Sequence, residues 1–294
     1  MTLTKYEKSL IACLLAVALM ATFFLLTKMK IKKESMLVEA QRMERLAAIK
    51  NKIDVLELQA KAFSIYDVDS GEFLYGKNDE MPLPLASLTK TMTIAVALQD
   101  LEGDSIIEIP KDAIAQDGDS TLVNGEKWGL SELAKLTLIS SSNDGAYAIA
   151  KKVPDIVLKM NQKAKKIGME KTSFFNSTGL DISLDKAGAY ASAKDANLMA
   201  AYAVAAHPEI FGATILPNIN VKSKSAFNHK VENTDTILNK IPNILFSKTG
   251  FTSLAGGNLT VIFKNTEGHR IAVTVLGSTQ NGRFADIEKL VNVL

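Results

Sequence analysis

Ser87 and Lys90 stand three residues apart in the string S-L-T-K and could together perform nucleophilic chemistry. Residues three apart on a helix share a face, and the apolar run 92–98 predicts a buried helix with Ser87 in its first turn. A serine hydroxyl needs a base, and a lysine can serve when burial favours its neutral amine. The spacing allows Lys90 to act as a base for the Ser87 hydroxyl. Taken alone, the motif is common by chance, and an N-cap serine beside a solvated lysine is the interpretation that it favours.

A second polar cluster, residues 140–144, separates the apolar helical stretches 133–139 and 146–150. One interpretation is a turn between two helices with a Ser, Asn or Asp cap. The other is an S-x-N loop, in which Ser141 presents a hydroxyl for proton relay and Asn143 presents an amide to a substrate backbone.

A third motif, Lys248-Thr249-Gly250, ends the apolar stretch 244–246. Lysine and threonine side by side on a strand can bind a carboxylate, and the adjoining glycine lets the backbone approach closely. The tripeptide is frequent by chance, so its order relative to the other two motifs carries the information.

The elements that must position these motifs are predicted from periodicity. Residues 63–68 alternate as a half-buried strand, and turn residues separate the strand segments near each end of the region that begins at residue 62. A hairpin is therefore predicted near each end of that region, and a helix closes the chain. The predicted strands are 63–68, 72–75, 258–263 and 270–276, and the helix covers 283–293. Because residues 86–210 are mostly helical in pattern, the sequence predicts an α+β fold: an antiparallel sheet built from both chain ends, flanked by helices, plus a mostly helical subdomain.

The N-terminus predicts a membrane-spanning helix. Leu10 to Thr27 is free of charge and, at about 1.5 Å per residue, crosses most of a hydrocarbon layer of about 30 Å. A secretory signal peptide would end in small residues at a cleavage site, whereas this run ends in Thr27 and Lys28. We therefore expect residues 1–28 to be a cytoplasmic tip and an uncleaved transmembrane anchor, with the lone Cys13 in the bilayer.

Residues 29–61 are predicted to be a helical stalk, and residues 62–294 a catalytic domain. The stalk contains no Gly or Pro, and its apolar residues recur at spacings of three and four. These residues are Leu46, Ile49, Ile53, Leu56 and Ala60.

Composition excludes several classes of protein. The 294 residues carry a net charge of only +2 and contain one Cys and three His. A single cysteine excludes an intrachain disulfide framework and a cysteine-based metal site, and the separated histidines make a metal hydrolase a weak hypothesis. Near-neutral charge argues against a nucleic-acid partner. We expect no metal and no cofactor.

The three motifs, in this order, resemble the signature of class A β-lactamases and penicillin-binding proteins. Longer strings are similar to those of serine-type D-alanyl-D-alanine carboxypeptidases, the low-molecular-mass penicillin-binding proteins. They are PLASLTKTMT, LISSSNDGAYAIA, NSTGLD, VENTDTILN, SKTGFT and NGRFADIEKL. The similarity covers about residues 62–294, and it implies a β-lactamase/transpeptidase-like fold.

This resemblance implies roles for individual residues. Ser87 would be the acylated nucleophile, Lys90 its general base, and Ser141 the shuttle that protonates the leaving amine. The implied substrate-binding residues are Asn143, Lys248, Thr249, Gly250, Phe251 and Arg283.

Within that set, the backbone amides of Ser87 and Phe251 would form the oxyanion hole. Arg283 would pair with the substrate carboxylate, with a surface charge at a helix start as the alternative. Residues 179–181 would shape the rim of the site.

The resemblance implies a membrane-anchored serine D,D-carboxypeptidase that removes the terminal D-alanine from peptidoglycan pentapeptides through an acyl-serine and is inhibited by β-lactams. A D,D-endopeptidase that cuts cross-links is the alternative. A β-lactamase is disfavoured, because class A enzymes need a deacylating Glu and the nearest string, 235–239, begins with Asp. An inactive wall-binding protein would have lost a motif, and all three are present.

The expected partners are the peptidoglycan stem peptide, β-lactams as covalent inhibitors, and the membrane, with no nucleic acid. We expect a single-pass protein of the cell membrane with an extracytoplasmic catalytic domain, because peptidoglycan lies outside the membrane. The four lysines in 28–33 favour the opposite orientation.

Overall fold

The structure, a computed structural model, describes residues 4–118 and 121–294. The chain forms two compact units, Met1–Asn51 and Lys52–Leu294. The helix α1, Lys5–Asp54, contains nearly all of the described residues of the first unit. It includes a stretch long and apolar enough to cross a membrane. The first three residues of the predicted anchor segment, 1–28, lie outside the described residues.

Helix α1 ends at Asp54, so the last seven residues of the predicted helical stalk, 55–61, are not helical. The backbone amides of Gln59 and Ala60 each donate to the Asp286 carboxylate at 2.9 Å. Their hydrogen bonds are therefore tertiary and replace the helical ones, which overrides the helix propensity of this segment.

The second unit is an α+β structure. Its helices are α2 Thr89–Asp100, α3 Leu130–Ser140, α4 Asn143–Lys152, α5 Ile156–Lys166, α6 Ala193–Ala206, α7 Pro208–Phe211 and α8 Gly282–Val291. Its strands are β1 Ala62–Asp67, β2 Glu72–Lys77, β3 Leu83–Pro84, β4 Ile106–Glu108, β5 Lys127–Gly129, β6 Ser173–Phe174, β7 Ala189–Ala191, β8 Asn218–Lys222, β9 Asn228–Glu232, β10 Ile244–Thr252, β11 Gly256–Lys264 and β12 Arg270–Ser278.

The main sheet joins the two ends of this unit. Its strand order is β10-β11-β12-β1-β2, and β1 pairs antiparallel with β12 in a register that places Ala62 opposite Leu276 and Asp67 opposite Ile271. Both predicted hairpins and the closing helix are confirmed, and the strands exceed their predicted limits by one to two residues in most cases. The sequence prediction of a sheet built from both chain ends is correct.

Helices cover the sheet, as the sequence predicted. Helix α6 packs against β1 and β12, and α8 packs against β11 and β12. Successive residues of β12, Ile271, Ala272 and Val273, are all fully buried. Burial on both faces explains why this stretch of β12 is continuously apolar rather than alternating.

The middle of the chain forms the helical subdomain around α2. This helix packs against α3, α4, α5 and α6, and it is buried from Thr89 to Ala97. A core that includes Trp128, Leu133, Ile139 and Ile149 lies beside it. The sequence did not predict the hairpin of β8 and β9, in which exposed residues alternate with half-buried ones on β8 and with buried ones on β9. Its strands carry polar and charged residues at most positions, so they lack the apolar signal of the other strands.

Candidate active site

Ser87 lies in a tight 3-10 turn, Ala86–Leu88, immediately before α2. The sequence placed Ser87 in the first turn of the helix, and the structure corrects this by starting α2 at Thr89. Ala86 adopts φ +49°, a left-handed conformation that an α-helix cannot contain. The half-buried Ser87 therefore stands on a strained turn at the head of the helix.

Lys90 is fully buried, with its amine at the centre of the site. Its Nζ donates to Ser87 Oγ at 2.8 Å, to Asn143 Oδ1 at 2.7 Å and to the Thr178 carbonyl at 2.8 Å. Burial, and then the nearby charge of Lys248, hold the pKa of Lys90 well below its ordinary value. The amine is consequently poised to be neutral and to accept the proton of the Ser87 hydroxyl.

The Thr178 carbonyl is a contact that the motif search missed, because any residue type can supply a backbone oxygen. The sequence feature that could have pointed to this loop was the string NSTGLD, which contains Thr178 and the predicted rim residues 179–181. A Cβ on Gly179, where φ is +80°, would lie 1.9 Å from the Ala86 carbonyl oxygen. The glycine therefore lets this loop pack directly against the turn that carries Ser87.

Ser141 and Lys248 form a second hydroxyl–amine pair. Lys248 Nζ donates to Ser141 Oγ at 2.8 Å and to the Thr249 carbonyl at 2.9 Å. Ser141 caps the C-terminus of α3 with φ +61°, which separates its side chain from the helix. Burial and the neighbouring Arg283 charge lower the pKa of Lys248 to about 7, although the Asp235 carboxylate acts in the opposite direction.

Asn143 connects the two sides of the site. It is the first residue of α4, and the preceding Ser142 accepts a hydrogen bond from the Gly145 amide at 2.9 Å as the helix cap. Its Oδ1 accepts from Lys90, and its Nδ2 donates to the Asp117 carbonyl at 2.5 Å. The loop is thus a turn between two helices with a serine cap, and in it Ser141 and Asn143 each bond one of the two buried lysines. The proton-relay and substrate-binding roles of these two residues stay predictions.

Strand β10 lies directly against the nucleophile turn. A Cβ on Gly250 would be 2.8 Å from the Leu85 carbonyl oxygen and 3.2 Å from the Ser87 amide nitrogen, so a side chain would block this approach. The next residue, Phe251, is 45% exposed. The backbone amides of Ser87 and Phe251 thus lie on neighbouring segments.

Arg283 belongs to this site and is not the exposed charge considered as its alternative. It is 7% exposed, and its Nη1 donates to the Gly250 carbonyl at 2.8 Å. The adjacent Thr249 is 3% exposed. In the part of the chain that the structure describes, no group of three or more His, Cys, Asp or Glu side chains could hold a metal ion.

The arrangement combines the pair of Ser87 and Lys90 with a second serine–lysine pair, Ser141 and Lys248, and the buried Arg283. The first pair can form an acyl-serine, and the cationic side chains can hold a carboxylate. The antiparallel sheet is made from both chain ends, and the helical subdomain begins at the turn that carries Ser87. Together they define the fold class as that of the penicillin-binding proteins.

The family of D-alanyl-D-alanine carboxypeptidases matches residues 48–280, and the chain belongs to this family. D-alanyl-D-alanine carboxypeptidase DacF of Bacillus subtilis is 30% identical over 244 residues, which cover 80% of this chain and 61% of that protein. A D-alanyl-D-alanine endopeptidase of Pseudomonas aeruginosa is 29% identical over 215 residues, covering 68% of this chain and 66% of its own length.

Solved structures agree with the fold. Penicillin-binding protein D2 from Listeria monocytogenes, determined in its ampicillin-bound form, superposes with a TM-score of 0.70 at 31% identity, covering 81% of this chain and 98% of that one. The chain spans less than two thirds of the length of the curated relatives.

Proposed function

We propose that this chain is a membrane-anchored serine D,D-carboxypeptidase, which removes the terminal D-alanine from peptidoglycan pentapeptides. The observation that carries the proposal is the fully buried Lys90 amine, 2.8 Å from the Ser87 hydroxyl. A buried lysine whose pKa is lowered, at this distance from the hydroxyl, has the position and the pKa direction of a general base. Family membership supplies the substrate class.

In the first step Lys90 takes the proton of Ser87 while Ser87 Oγ attacks the carbonyl carbon of the penultimate D-alanine. A C–O bond forms and the carbonyl oxygen becomes an oxyanion. The backbone amides of Ser87 and Phe251 are proposed to stabilise that charge, and the close approach of Gly250 to the Ser87 nitrogen supports this role.

The intermediate then collapses with release of D-alanine. Ser141 donates its proton to the leaving nitrogen as the peptide C–N bond breaks, and it is reprotonated by Lys248, whose Nζ is 2.8 Å away. Before deacylation Lys90 gives up the proton that it took from Ser87 and Lys248 regains the one that it gave to Ser141, with water carrying the proton between them. Water then attacks the acyl-serine carbonyl while Lys90 takes the water proton. As the ester C–O bond breaks, Lys90 returns that proton to Ser87 Oγ, which releases the shortened peptide and regenerates Ser87.

Binding is assigned to the other predicted residues. Lys248, Thr249 and Arg283 would hold the terminal carboxylate of the substrate, and the Asn143 amide would hold its backbone. β-Lactams would acylate Ser87 as mimics of this substrate, and the relative from Listeria monocytogenes was crystallised with ampicillin.

Labelling with a fluorescent penicillin tests the nucleophile, with wild type beside Ser87→Ala. The wild type should become covalently labelled and release D-alanine from a pentapeptide, and the variant should do neither. Equal labelling of both proteins would remove Ser87 as the nucleophile. Labelling without D-alanine release would reduce the chain to a penicillin-binding protein that lacks carboxypeptidase activity.

An endopeptidase is the second candidate, favoured by the similarity to the Pseudomonas aeruginosa endopeptidase. Both reactions use the same acyl-serine, and they differ in whether the leaving group is free D-alanine or the side chain of a cross-linked stem. Incubation with cross-linked muropeptides distinguishes them, because only an endopeptidase converts the dimers to monomers.

For the organisation of the chain we propose an anchor at 1–28, a stalk at 29–61 and a catalytic domain at 62–294, with the N-terminus inside the cell and the catalytic domain outside. The apolar stretch of α1 supports the anchor, and the location of peptidoglycan supports the orientation. A protease added to spheroplasts should degrade the catalytic domain, and protection of that domain would reverse the proposed topology.

A further inference from the structure

The segment Asn233–Asp235 lies outside the three motifs, but it links two of them. The Thr234 amide donates to the Ile139 carbonyl at 3.2 Å, two residues before Ser141 at the end of α3. The segment is therefore attached to the helix that presents the second motif.

The same segment reaches β10 on both sides of Lys248. Thr234 Oγ1 and Thr249 Oγ1 form a hydrogen bond of 2.6 Å. The hydroxyl of Ser247 donates to Asp235 Oδ2 at 2.5 Å. Two adjacent residues thus hold the two strand residues that flank the lysine.

Asp235 also brings a negative charge to a cationic region. It is 4% exposed, and its second oxygen accepts from the Ile237 amide at 2.9 Å. Its carboxylate acts against the pKa-lowering effects of burial and of Arg283 on Lys248. The charged groups that face this part of the site are therefore Lys90 on α2, Arg283 on α8 and Asp235 itself.

We propose that Thr234 and Asp235 are positioning residues for the third motif. Thr234 orients the Thr249 hydroxyl for the substrate, and Asp235 holds β10 at Ser247 and keeps Lys248 protonated. This inference rests on the proposed function, because it assumes that Lys248 and Thr249 bind a carboxylate and relay a proton. Neither positioning residue needs to touch the substrate.

The Thr234 contact is tested with Thr234→Val and Thr234→Ser. Loss of one hydrogen bond should lower kcat/KM for D-alanine release on the order of tenfold, mainly through KM. Thr234→Ser keeps the hydroxyl and should restore the wild-type value. The matched control is Thr236→Val, an exposed threonine two residues further along the same segment. Equal values for Thr234→Val and the control would overturn the role of Thr234, and so would a failure of Thr234→Ser to restore activity.

The charge of Asp235 is tested by the pH profile of Asp235→Asn, which keeps the shape and the acceptor oxygen. Without the carboxylate the pKa of Lys248 falls further below about 7, so the alkaline fall in kcat/KM should move to lower pH. Glu232→Gln, an exposed carboxylate on β9, is the control and should leave the profile unmoved. An alkaline limb at the same pH in Asp235→Asn and wild type would overturn the proposed charge role.

Two further measurements keep the inference separable from the proposed function and from misfolding. If Asp235→Asn does not fold, Ser247→Ala removes the same tether and leaves the charge in place. It should reduce the rate of acylation by penicillin, and an unchanged rate overturns the tether. A wild-type protein that fails to release D-alanine contradicts the proposed function, whereas an active wild type with unaffected variants contradicts the inference alone.

Discussion

Lys90 donates to the Ser87 hydroxyl across 2.8 Å from a side chain with no exposed surface. Removing the amine from water disfavours its charged form, and the charge of Lys248 adds to that effect. Burial, and not a neighbouring histidine, is therefore the main cause of the lowered pKa of the proposed base. The same buried amine also donates to Asn143 Oδ1 and to the Thr178 carbonyl, so it links α2 to α4 and to the loop that contains Thr178.

Replacing this base should abolish acylation while the fold is retained. For Lys90→Met we expect the second-order rate of acylation by penicillin to fall by roughly 10²- to 10⁴-fold, the usual contribution of a positioned base. Lys152→Met, an exposed lysine on α4, is the control. Stopped-flow acylation measures the rate, circular dichroism checks the fold, and a rate in Lys90→Met close to wild type would contradict the assignment.

The acid limb of the pH profile should depend on Lys248. Activity rises with pH as Lys90 loses its proton, and the Lys248 charge lowers the pKa at which this occurs. In Lys248→Met that charge is gone, so the pKa of Lys90 rises and the acid limb moves to higher pH. The measurement is the acylation rate against pH, normalised to each protein's maximum, because the variant will also be slower. A shift to lower pH would show that the two amines are not coupled as described.

Two glycines with similar backbone angles should respond differently to alanine. Gly179 and Gly168 have φ of +80° and +84°, so each substitution costs about 1 kcal/mol or more of left-handed strain. A Cβ at Gly179 would also clash with the Ala86 carbonyl oxygen, whereas a Cβ at Gly168 would have no described atom within 4 Å.

Gly179→Ala should therefore lose a further ~1–3 kcal/mol of unfolding free energy and most of its acylation rate, because the turn that carries Ser87 must move. Gly168→Ala should lose stability only. Urea unfolding and penicillin labelling of the two variants make the comparison, and full labelling of Gly179→Ala would show that the turn tolerates the shift.

Arg283 should act on substrate binding and on Lys248 together. Arg283→Gln removes a buried charge, so we expect KM for a carboxylate-bearing pentapeptide to rise by about ten- to a hundredfold. Because the Arg283 charge lowers the pKa of Lys248, its loss should raise that pKa above about 7 and move the alkaline limb to higher pH.

The expected shift is opposite to that for Asp235→Asn. The two variants therefore test how a positive and a negative charge each change the pKa of Lys248. Arg270→Gln, a partly exposed arginine paired with Asp69 at the start of β12, serves as the control. If the alkaline limbs of the Arg283→Gln and Asp235→Asn profiles moved in the same direction, the result would contradict the opposite effects of these two charges on the pKa of Lys248.

The sequence alone determined the features that depend on local pattern. Strand segments separated by turn residues at 69–71 and 265–268 predicted both hairpins, and an apolar run after Ser87 predicted α2. The order of S-x-x-K, S-x-N and K-T-G was sufficient to name the class, because each motif is a short string with its own residue types.

Tertiary structure decided the features that depend on distance between remote residues. The Thr178 carbonyl is 88 residues from Lys90, and the Asp286 carboxylate that bonds residues 59 and 60 is more than 220 residues away. No local pattern encodes such contacts, which is why the end of α1 was predicted seven residues too late. The role of the segment around Thr234 was hidden for the same reason.

The charge states of the two lysines were decided in the same way. The sequence placed Lys90 on the correct helix face, but whether a lysine is neutral depends on how much water the fold removes and which charges it brings near. In this chain α2, β10 and α8 bring Lys90, Lys248 and Arg283 into one buried region. Desolvation and mutual repulsion follow from that packing, and they lower the pKa of both lysines, as the proposed base and the proposed proton relay require.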